Sequence, residues 1–280
     1  FDENLKILFL DLNKEPQDWK VQLLEGNYPK VFRPHGISLV EKDGKLILYV
    51  ISHVMGEKIK HTIEVFEISK QKLIHMKTYE DEALTSPNDL FALPDGRIFV
   101  SNDHGTGGTF RNLVDDALRL KRSKIAFFNG EKWSEIGEGI ALGNGIYYRV
   151  ENGLEMIYRS AFMSRSVYKY QFLGSGIGPD LKFIAEIAVD SGTDNIEPDG
   201  KGNLYVVGHP STWKFLQHAK KVENQSPSQV FKINENLKVS EIYANSGDEI
   251  SAASTAIPYE NKIFISQVFE DFLLVCDLDN

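Results

Sequence analysis

A short unit that repeats along the chain constrains its fold more than any other feature. Each unit has a turn of Asp, Asn or Glu followed by Gly or Asn, and an alternating apolar strand begins directly after it. The five turns are Lys42-Asp43-Gly44, Pro94-Asp95-Gly96, Glu151-Asn152-Gly153, Pro198-Asp199-Gly200 and Tyr259-Glu260-Asn261. Asp-Gly and Asn-Gly turns favour positive φ and are strong hairpin signals. The repeat therefore predicts a series of β-hairpins.

A polar loop precedes the first strand of each hairpin at a steady interval. One marker residue can be taken from each loop: His35, Asn88, Asn144, Asn195 and Ser254, which are separated by 53, 56, 51 and 59 residues. A period near 50 residues is typical of four-stranded propeller blades. In a propeller the inner strands run parallel along one channel, so these loops meet at one mouth. Five unrelated hairpins in a β-sandwich are the alternative.

Five full units and a further strand over Leu5–Leu12 amount to five blades and a fraction. A propeller that does not close leaves strands with unpaired backbone groups at its open edges. We therefore expect an all-β, six-bladed β-propeller of four-stranded blades with an incomplete first blade. Residues 1–280 then form a single domain. Thr109–Arg122 and Thr212–Val222 have helical periodicity. Each follows an inner strand, so we expect one or two lid helices over the channel mouth, with packing on a blade edge as the alternative.

The composition limits the partners. A formal net charge of −9 opposes binding to nucleic acid, whose phosphates would be repelled. No run of about 18 apolar residues is present, so the sequence predicts no membrane-spanning helix. The chain begins with Phe1 and shows no signal peptide, so neither the compartment nor the oligomeric state can be read from it. The single cysteine, Cys276, excludes an internal disulfide.

Oxygen-bearing side chains dominate the marker loops. They are Asn88, Asp89, Asn144, Asp194 and Asn195. Ligation by amide and carboxylate oxygens alone is typical of calcium, whereas zinc takes His or Cys. Asn and Asp also cap turns without any ligand. The recurrence of Asn at one place, twice beside an acid, favours a metal site.

Histidines recur at a second position in the repeat. His35 occupies a marker loop, and His53 lies at the far end of the strand-turn-strand that His35 begins, so an antiparallel return can bring the two rings together. A paired histidine can be tuned towards general-base work near neutral pH. His104 and His209 end the second strands of their own blades, as His53 does. Substrate binding or a structural hydrogen bond is the alternative role for each.

These residues stand in strings that resemble the paraoxonase/arylesterase family, six-bladed propellers that hydrolyse lactones and aryl esters with calcium. The resemblance covers essentially the whole chain. The matching strings, in order, are Phe32-Arg33-Pro34-His35-Gly36-Ile37-Ser38, Ser52-His53, Pro87-Asn88-Asp89, Ser101-Asn102-Asp103-His104, Asn144-Gly145-Ile146, Asp194-Asn195-Ile196, Gly208-His209-Pro210 and Val275-Cys276-Asp277-Leu278.

The resemblance implies two calcium ions and a role for each candidate residue. It assigns Asn88, Asn144, Asp194 and Asn195 to a catalytic calcium, and Asp89 with the carbonyl of Ile37 to a deeper, structural calcium. It implies that His35 deprotonates the attacking water and that His53 takes the proton onward. It places His104, His209, Leu142 and Phe269 at the substrate pocket. The implied reaction is hydrolysis of a small-molecule lactone or ester, with calcium polarising the carbonyl.

The family pattern also includes an N-terminal segment that supplies a Glu-Asp pair to the two calcium ions and a cysteine that pairs with the match of Cys276. We expect that segment to be missing from this chain, so that the four catalytic ligands bring one formal negative charge and hold calcium weakly. Secretion follows from the resemblance, whereas membrane or lipoprotein association cannot be inferred. The alternatives are a sugar lactonase of the gluconolactonase type and a non-catalytic propeller that binds a metal or a partner.

Overall fold

Two of the five predicted turns have positive φ at both central residues. A computed structural model describes residues 5–54, 60–105, 115, 118–174 and 178–278. In it, Asp43 and Gly44 have φ values of 51° and 73°, and Asn152 and Gly153 have values of 49° and 78°. Positive φ at both central residues is typical of the type I′ turn, whose twist matches that of the flanking strands. These turns therefore connect antiparallel strands as expected.

Strands make up most of the described chain. In order they are β1 (Leu8–Leu10), β2 (Val21–Leu23), β3 (Pro34–Lys42), β4 (Lys45–Val54), β5 (Lys60–Ser69), β6 (Lys72–Tyr79), β7 (Pro87–Ala92), β8 (Ile98–Asn102), β9 (Ser123–Phe128), β10 (Trp133–Ile140), β11 (Gly143–Glu151), β12 (Leu154–Ala161), β13 (Ser166–Leu173), β14 (Asp180–Ala188), β15 (Gly192–Pro198), β16 (Leu204–His209), β17 (Ser228–Ile233), β18 (Val239–Asn245), β19 (Ala253–Tyr259), β20 (Lys262–Gln267) and β21 (Leu274–Asp277). Short 3₁₀ turns cover Pro16–Asp18 and Phe162–Ser164, and the α-helix α1 covers Thr212–Lys220.

The strands pair into five propeller blades. Four are four-stranded antiparallel sheets, β3–β6, β7–β10, β11–β14 and β15–β18, and the fifth is the three-stranded sheet β19–β21. The predicted β-propeller is confirmed, but the predicted count of six blades is wrong, because the described residues form five. The prediction of four strands is also wrong for the last blade. The strand expected over Leu5–Leu12 is reduced to β1, which pairs with β2 in a separate two-stranded sheet.

The segment before β3 lies against existing blades and does not build another. Backbone hydrogen bonds join Glu25 and Asn27 to Leu73 of β6. The ring of Trp19 lies 5.3 Å from that of Phe264 in β20. Because β1 and β2 have three residues each, they are too short to form a blade. The segment contacts both the first and the last blade.

Apolar side chains fill the spaces between adjacent blades. Ile51 and Val100 belong to the cluster between the first and second blades, and Tyr158 and Val206 belong to the cluster between the third and fourth. All four are fully buried. Burial on both faces explains why a strand such as β4 has a continuous apolar run instead of strict alternation. This packing holds the inner strands in fixed positions around the axis.

A β-bulge interrupts every inner strand at its marker residue. The inner strands β3, β7, β11, β15 and β19 lie side by side in that order. In each inner strand the register with the next strand shifts between two residues. These pairs are Pro34/Ile37, Pro87/Asp89, Gly143/Ile146, Thr193/Ile196 and Ala253/Thr255. A bulge bends the strand and re-aims a side chain. The same irregularity in five neighbouring strands therefore gives their polar side chains a common direction.

The helix α1 confirms one of the two predicted helices. Its N-cap is Ser211, whose hydroxyl accepts a hydrogen bond from the backbone N–H of Lys214. Phe215 of α1 lines the channel cavity, so the helix lies at the channel mouth as expected. The other predicted helix, Thr109–Arg122, falls largely outside the described residues. Within the described ranges, no helix is long and apolar enough to cross a membrane.

Candidate active site

A cavity of about 500 Å³ opens between the inner strands at their bulges. It is lined by all five marker residues: His35, Asn88, Asn144, Asn195 and Ser254. The prediction that residues distant in sequence meet at one mouth is therefore confirmed. The cavity wall also includes Ile37, Asp89 and Asp194, which were expected to bind metal, and Glu197, which was not.

Two glycines allow the inner strands to approach closely at this site. A Cβ added to Gly36 of β3 would lie 2.6 Å from the backbone oxygen of Asn88 in β7. A Cβ added to Gly145 of β11 would lie 2.7 Å from the Cα of Asn195 in β15. Real side chains do not fit at such distances, so only glycine permits this backbone contact. The glycines beside His35 and Asn144 thus help to bring the polar loops together.

The amide side chains on the cavity wall differ in their hydrogen bonds. Oδ1 of Asn144 is fully buried and has no hydrogen-bond partner among the described residues. Nδ2 of Asn195 donates to the hydroxyls of Thr255 and Ser254 at 2.9 and 3.2 Å. Buried acceptors without a donor are rare in native proteins, and an ion is one way to satisfy them. The residues present therefore fit a hard cation.

Asp194 is held in place by a histidine behind it. Nε2 of His209 lies 2.9 Å from Oδ2 of Asp194, and His209 is fully buried. Phe162 and Phe215 contact its ring from either side, at centroid distances of 5.9 and 4.6 Å. The structure thus places His209 behind a predicted metal ligand and not on the cavity wall. A hydrogen bond from a buried ring fixes the direction of the Asp194 carboxylate.

Asp89 connects two blades beneath the mouth. Its Oδ1 accepts a hydrogen bond from the N–H of Leu90, and its Oδ2 accepts one from the N–H of Ile146 in the next blade, both at 2.8 Å. Burial raises the pKa of Asp89 to about 7, although these two hydrogen bonds act in the opposite direction. A neighbouring cation would favour its ionised form.

Glu197 is a functional candidate that the sequence analysis missed. It lines the cavity and lies two residues after Asn195 on β15, where side chains of a strand return to the same face. Burial, and then the charge of Asp89, raise the pKa of Glu197 to about 8. The period of two along the strand was an available signal. Glu197 directly precedes the predicted turn Pro198-Asp199-Gly200, a position that is typical of a strand end and not of a site residue.

Three histidines, not two, lie together beside the cavity. The ring centroids of His35 and His53 are 5.1 Å apart in an edge contact, as the antiparallel return predicted. Nδ1 of His53 lies 2.8 Å from Nδ1 of His61. Burial lowers the pKa of all three rings, that of His53 to about 3, and the charge of Asp103 opposes the effect on each. The three rings are therefore neutral at neutral pH, the form that accepts a proton.

The remaining predicted pocket residues lie outside this cavity. Nδ1 of His104 is 2.8 Å from Oδ1 of Asp103, and His104 borders a small separate pocket together with Leu142. Phe269 packs against Phe215 of α1, with ring centroids 5.6 Å apart. Contact between substrate and His104, Leu142 or Phe269 stays a prediction.

The profile of the Arylesterase family matches residues 2–278. The chain belongs to this family. Serum paraoxonase/lactonase 3 of Homo sapiens is 27% identical over 286 residues, which cover 99% of this chain and 78% of the relative. Serum paraoxonase/arylesterase 1 of Rattus norvegicus is 29% identical over 284 residues, which cover 98% and 77%. Membership of the Arylesterase family confirms the resemblance seen in the motifs and the prediction of an ester-hydrolysing enzyme.

Solved structures outside the Arylesterase family share the fold. An α-L-arabinanase from Penicillium chrysogenum matches with a TM-score of 0.52 at 11% identity, over 87% of this chain and 78% of that chain. An exo-β-1,3-galactanase from Clostridium thermocellum matches with a TM-score of 0.52 at 10% identity, over 84% and 55%. At such low identity these likenesses concern the architecture alone.

Proposed function

We propose that this chain hydrolyses lactones and aryl esters with the aid of bound calcium, and that His35 activates the attacking water. One observation carries the proposal: Oδ1 of Asn144 is fully buried without a partner in the described structure, on a cavity wall that it shares with His35. A buried acceptor left unpaired costs about 1–3 kcal/mol. A bound cation would remove that cost at the place where the candidate base stands.

Two sets of oxygen atoms fit calcium. The first comprises Asn88, Asn144, Asp194 and Asn195, and the second comprises Asp89 and the carbonyl of Ile37, to which Glu197 adds a carboxyl group. When bound, calcium supplies Lewis-acid polarisation of the substrate carbonyl. No group of three or more His, Cys, Asp or Glu suited to a metal occurs in the part of the chain that the structure describes. Binding here therefore depends on amide oxygens, which suit calcium and not zinc.

His35 is the general base in this proposal. It lines the cavity, so it can reach a water molecule beside a substrate carbonyl, and its ring contacts His53. His35 takes one proton from that water as the water oxygen bonds to the carbonyl carbon, and His53 receives the proton from His35. The ester C–O bond then breaks, and the alkoxide takes the second proton of the attacking water, so that an alcohol and a carboxylate leave and the proton on His53 is released to solvent. This sequence needs no covalent enzyme intermediate.

The cavity wall favours an apolar substrate of small size. Phe215 of α1, Ile257 and Val268 belong to its wall, and Ile257 and Val268 are exposed. A volume of about 500 Å³ is within the usual range for a small-molecule site. These side chains would contact an alkyl or aryl group better than the hydroxyls of a sugar. The substrate we propose is therefore an acyl-chain lactone or an aryl ester.

A side-by-side assay of an acyl-chain δ-lactone, phenyl acetate and gluconolactone tests the substrate class. We expect kcat/KM for the first two to exceed that for gluconolactone by at least about tenfold, a difference of about 1.4 kcal/mol in transition-state binding. His35→Gln should lower kcat for the δ-lactone by about 10²- to 10⁴-fold. A preference for gluconolactone would indicate a sugar lactonase. A folded, calcium-supplied protein that hydrolyses none of the three would indicate a non-catalytic propeller.

A further inference from the structure

The third histidine beside the cavity has a defined geometric relation to the second. β4 and β5 pair in a register that sets His53 opposite His61. The two Nδ1 atoms are 2.8 Å apart, and the rings are nearly perpendicular, with centroids separated by 4.9 Å. The distance is that of a good hydrogen bond. His53 and His61 are both half-buried, and of the three histidines only His35 lines the cavity.

A contact between two Nδ1 atoms restricts the protonation of both rings. A neutral imidazole carries one proton, so one Nδ1 donates and the other accepts. If His53 donates, its Nε2 is unprotonated and can accept a proton. If His61 donates, the proton of His53 is on Nε2, and His53 cannot accept one. The direction of this hydrogen bond therefore determines whether Nε2 of His53 can accept a proton.

Among the described residues, no carboxylate is hydrogen-bonded to His53 in the way that an aspartate commonly orients a catalytic histidine. Asp103 is the acid whose charge acts on His35, His53 and His61 alike. Oδ1 of Asp103 is instead 2.8 Å from Nδ1 of His104. The partner that the described structure gives to Nδ1 of His53 is His61. A neutral partner orients the ring without raising its affinity for protons as a carboxylate would.

We propose that His61 is a positioning residue that accepts the Nδ1–H of His53, keeps Nε2 of His53 free to receive a proton from His35, and completes a three-histidine relay. The inference rests on the proposed function of His35 as the base. The proton moves from water to His35 and from there to Nε2 of His53, directly or through one water molecule. The resulting His53 cation donates its Nδ1–H to His61.

The overall reaction gives this arrangement a use. Hydrolysis of one ester or lactone near neutral pH yields one alcohol group and one carboxylate, and it releases one proton. That proton has to leave a cavity whose basic groups are neutral imidazoles. His61 does not line the cavity, and by accepting the Nδ1–H of His53 it stabilises the charge that this ring carries until the proton is released.

Two substitutions separate a positioning role from simple packing. His61→Phe keeps an aromatic ring in the edge contact but removes both nitrogens, whereas His61→Asn places an amide oxygen near the position of Nδ1. We expect His61→Phe to lower kcat for the δ-lactone by about tenfold or more with KM nearly unchanged, since general-base catalysis is worth about 10²–10⁴. We expect His61→Asn to recover most of that loss. His75→Phe, at a half-exposed histidine of β6 paired with Glu64, is the matched control and should keep wild-type kcat.

Nitrogen-15 NMR of the histidine rings shows which nitrogen of His53 carries the proton, and a change in packing alone would not alter that. In the wild-type protein Nδ1 of His53 should carry the proton and Nε2 should not, and in His61→Phe this preference should be lost. A proton on Nε2 of His53 in the wild type would overturn the proposal, as would unchanged kcat in a folded His61→Phe variant. If the wild type hydrolyses no ester, the proposed function fails, and the tautomer of His53 still decides the role of His61.

Discussion

Asp89 on β7 and Glu197 on β15 interact through their charges inside the channel. Burial raises the pKa of Asp89 to about 7, and burial together with the charge of Asp89 raises that of Glu197 to about 8. Among the described residues, no Lys or Arg forms a salt bridge with either carboxyl group. Two acids that resist ionisation therefore stand together in the cavity, where a bound cation would favour the charged form of both.

Glu197→Gln should change how stability depends on pH in the absence of calcium. Folding raises the pKa of Glu197, so its contribution to stability is fully present below its unfolded value and is lost as pH rises through about 8. The variant cannot ionise and avoids this loss. We expect its free energy of unfolding to exceed that of the wild type by about 1 kcal/mol or more at pH 8.5, with little difference near pH 4. Urea unfolding in chelator measures this.

The matched control is Glu223→Gln, which alters an exposed carboxyl group away from the channel and should leave the pH dependence of stability unchanged. Equal stability of Glu197→Gln and the wild type at both pH values would show that burial does not affect Glu197 in this way.

Asn144→Ala should weaken calcium binding. The substitution removes the buried, unpartnered Oδ1, which we propose as a calcium ligand, so we expect Kd to rise by about tenfold or more, equivalent to about 1.4 kcal/mol. Titration calorimetry measures it directly. Asn236→Ala, at an exposed turn, should bind calcium like the wild type. An unchanged Kd in Asn144→Ala would remove this residue from the ligand set.

His209→Phe should also weaken calcium binding, although His209 does not line the cavity. The variant loses the hydrogen bond to Oδ2 of Asp194, and loss of such an outer partner typically costs about 10- to 100-fold in metal affinity. His209→Gln retains an N–H donor and should lie closer to the wild type. Calorimetry on both variants tests the role. If His209→Phe bound calcium normally but raised KM, direct contact with substrate would be the better explanation.

Gly145→Ala should destabilise the propeller where β11 meets β15. The new Cβ would lie 2.7 Å from the Cα of Asn195, so backbone would have to move, at a cost of about 1–3 kcal/mol. Gly178→Ala adds a Cβ that meets no described residue within 4 Å and serves as the control. Chemical unfolding should show a lower midpoint for Gly145→Ala only. Equal midpoints would mean that the two strands separate without cost.

The repeat in the sequence predicted the part of the fold that depends on local signals. Turns such as Asp43-Gly44 and the spacing of the marker residues were sufficient to predict blades around one cavity. These signals did not determine the number of blades. A short apolar run such as Leu8–Leu10 has the same sequence pattern whether it joins a blade or pairs only with β2. That outcome depends on contacts between distant segments.

The site was predictable in its residues but not in its finer contacts. The motifs predicted that His35, Asn88 and Asn195 share one cavity, and all three line it. The contact of His53 with His61 depends on the register between β4 and β5, which one sequence does not determine. The position of His209 behind Asp194 depends on the bulge in β15, because a bulge changes which side chains share a face.

The most direct test of calcium-dependent catalysis at this cavity is to measure the rate of lactone hydrolysis before and after calcium is removed. We predict that a chelator lowers kcat/KM for an acyl-chain δ-lactone by at least about 100-fold. Added calcium should restore it, with a midpoint equal to the calorimetric Kd of the wild type and shifted to higher calcium in Asn144→Ala. Undiminished turnover in protein shown by metal analysis to be free of calcium would contradict this mechanism.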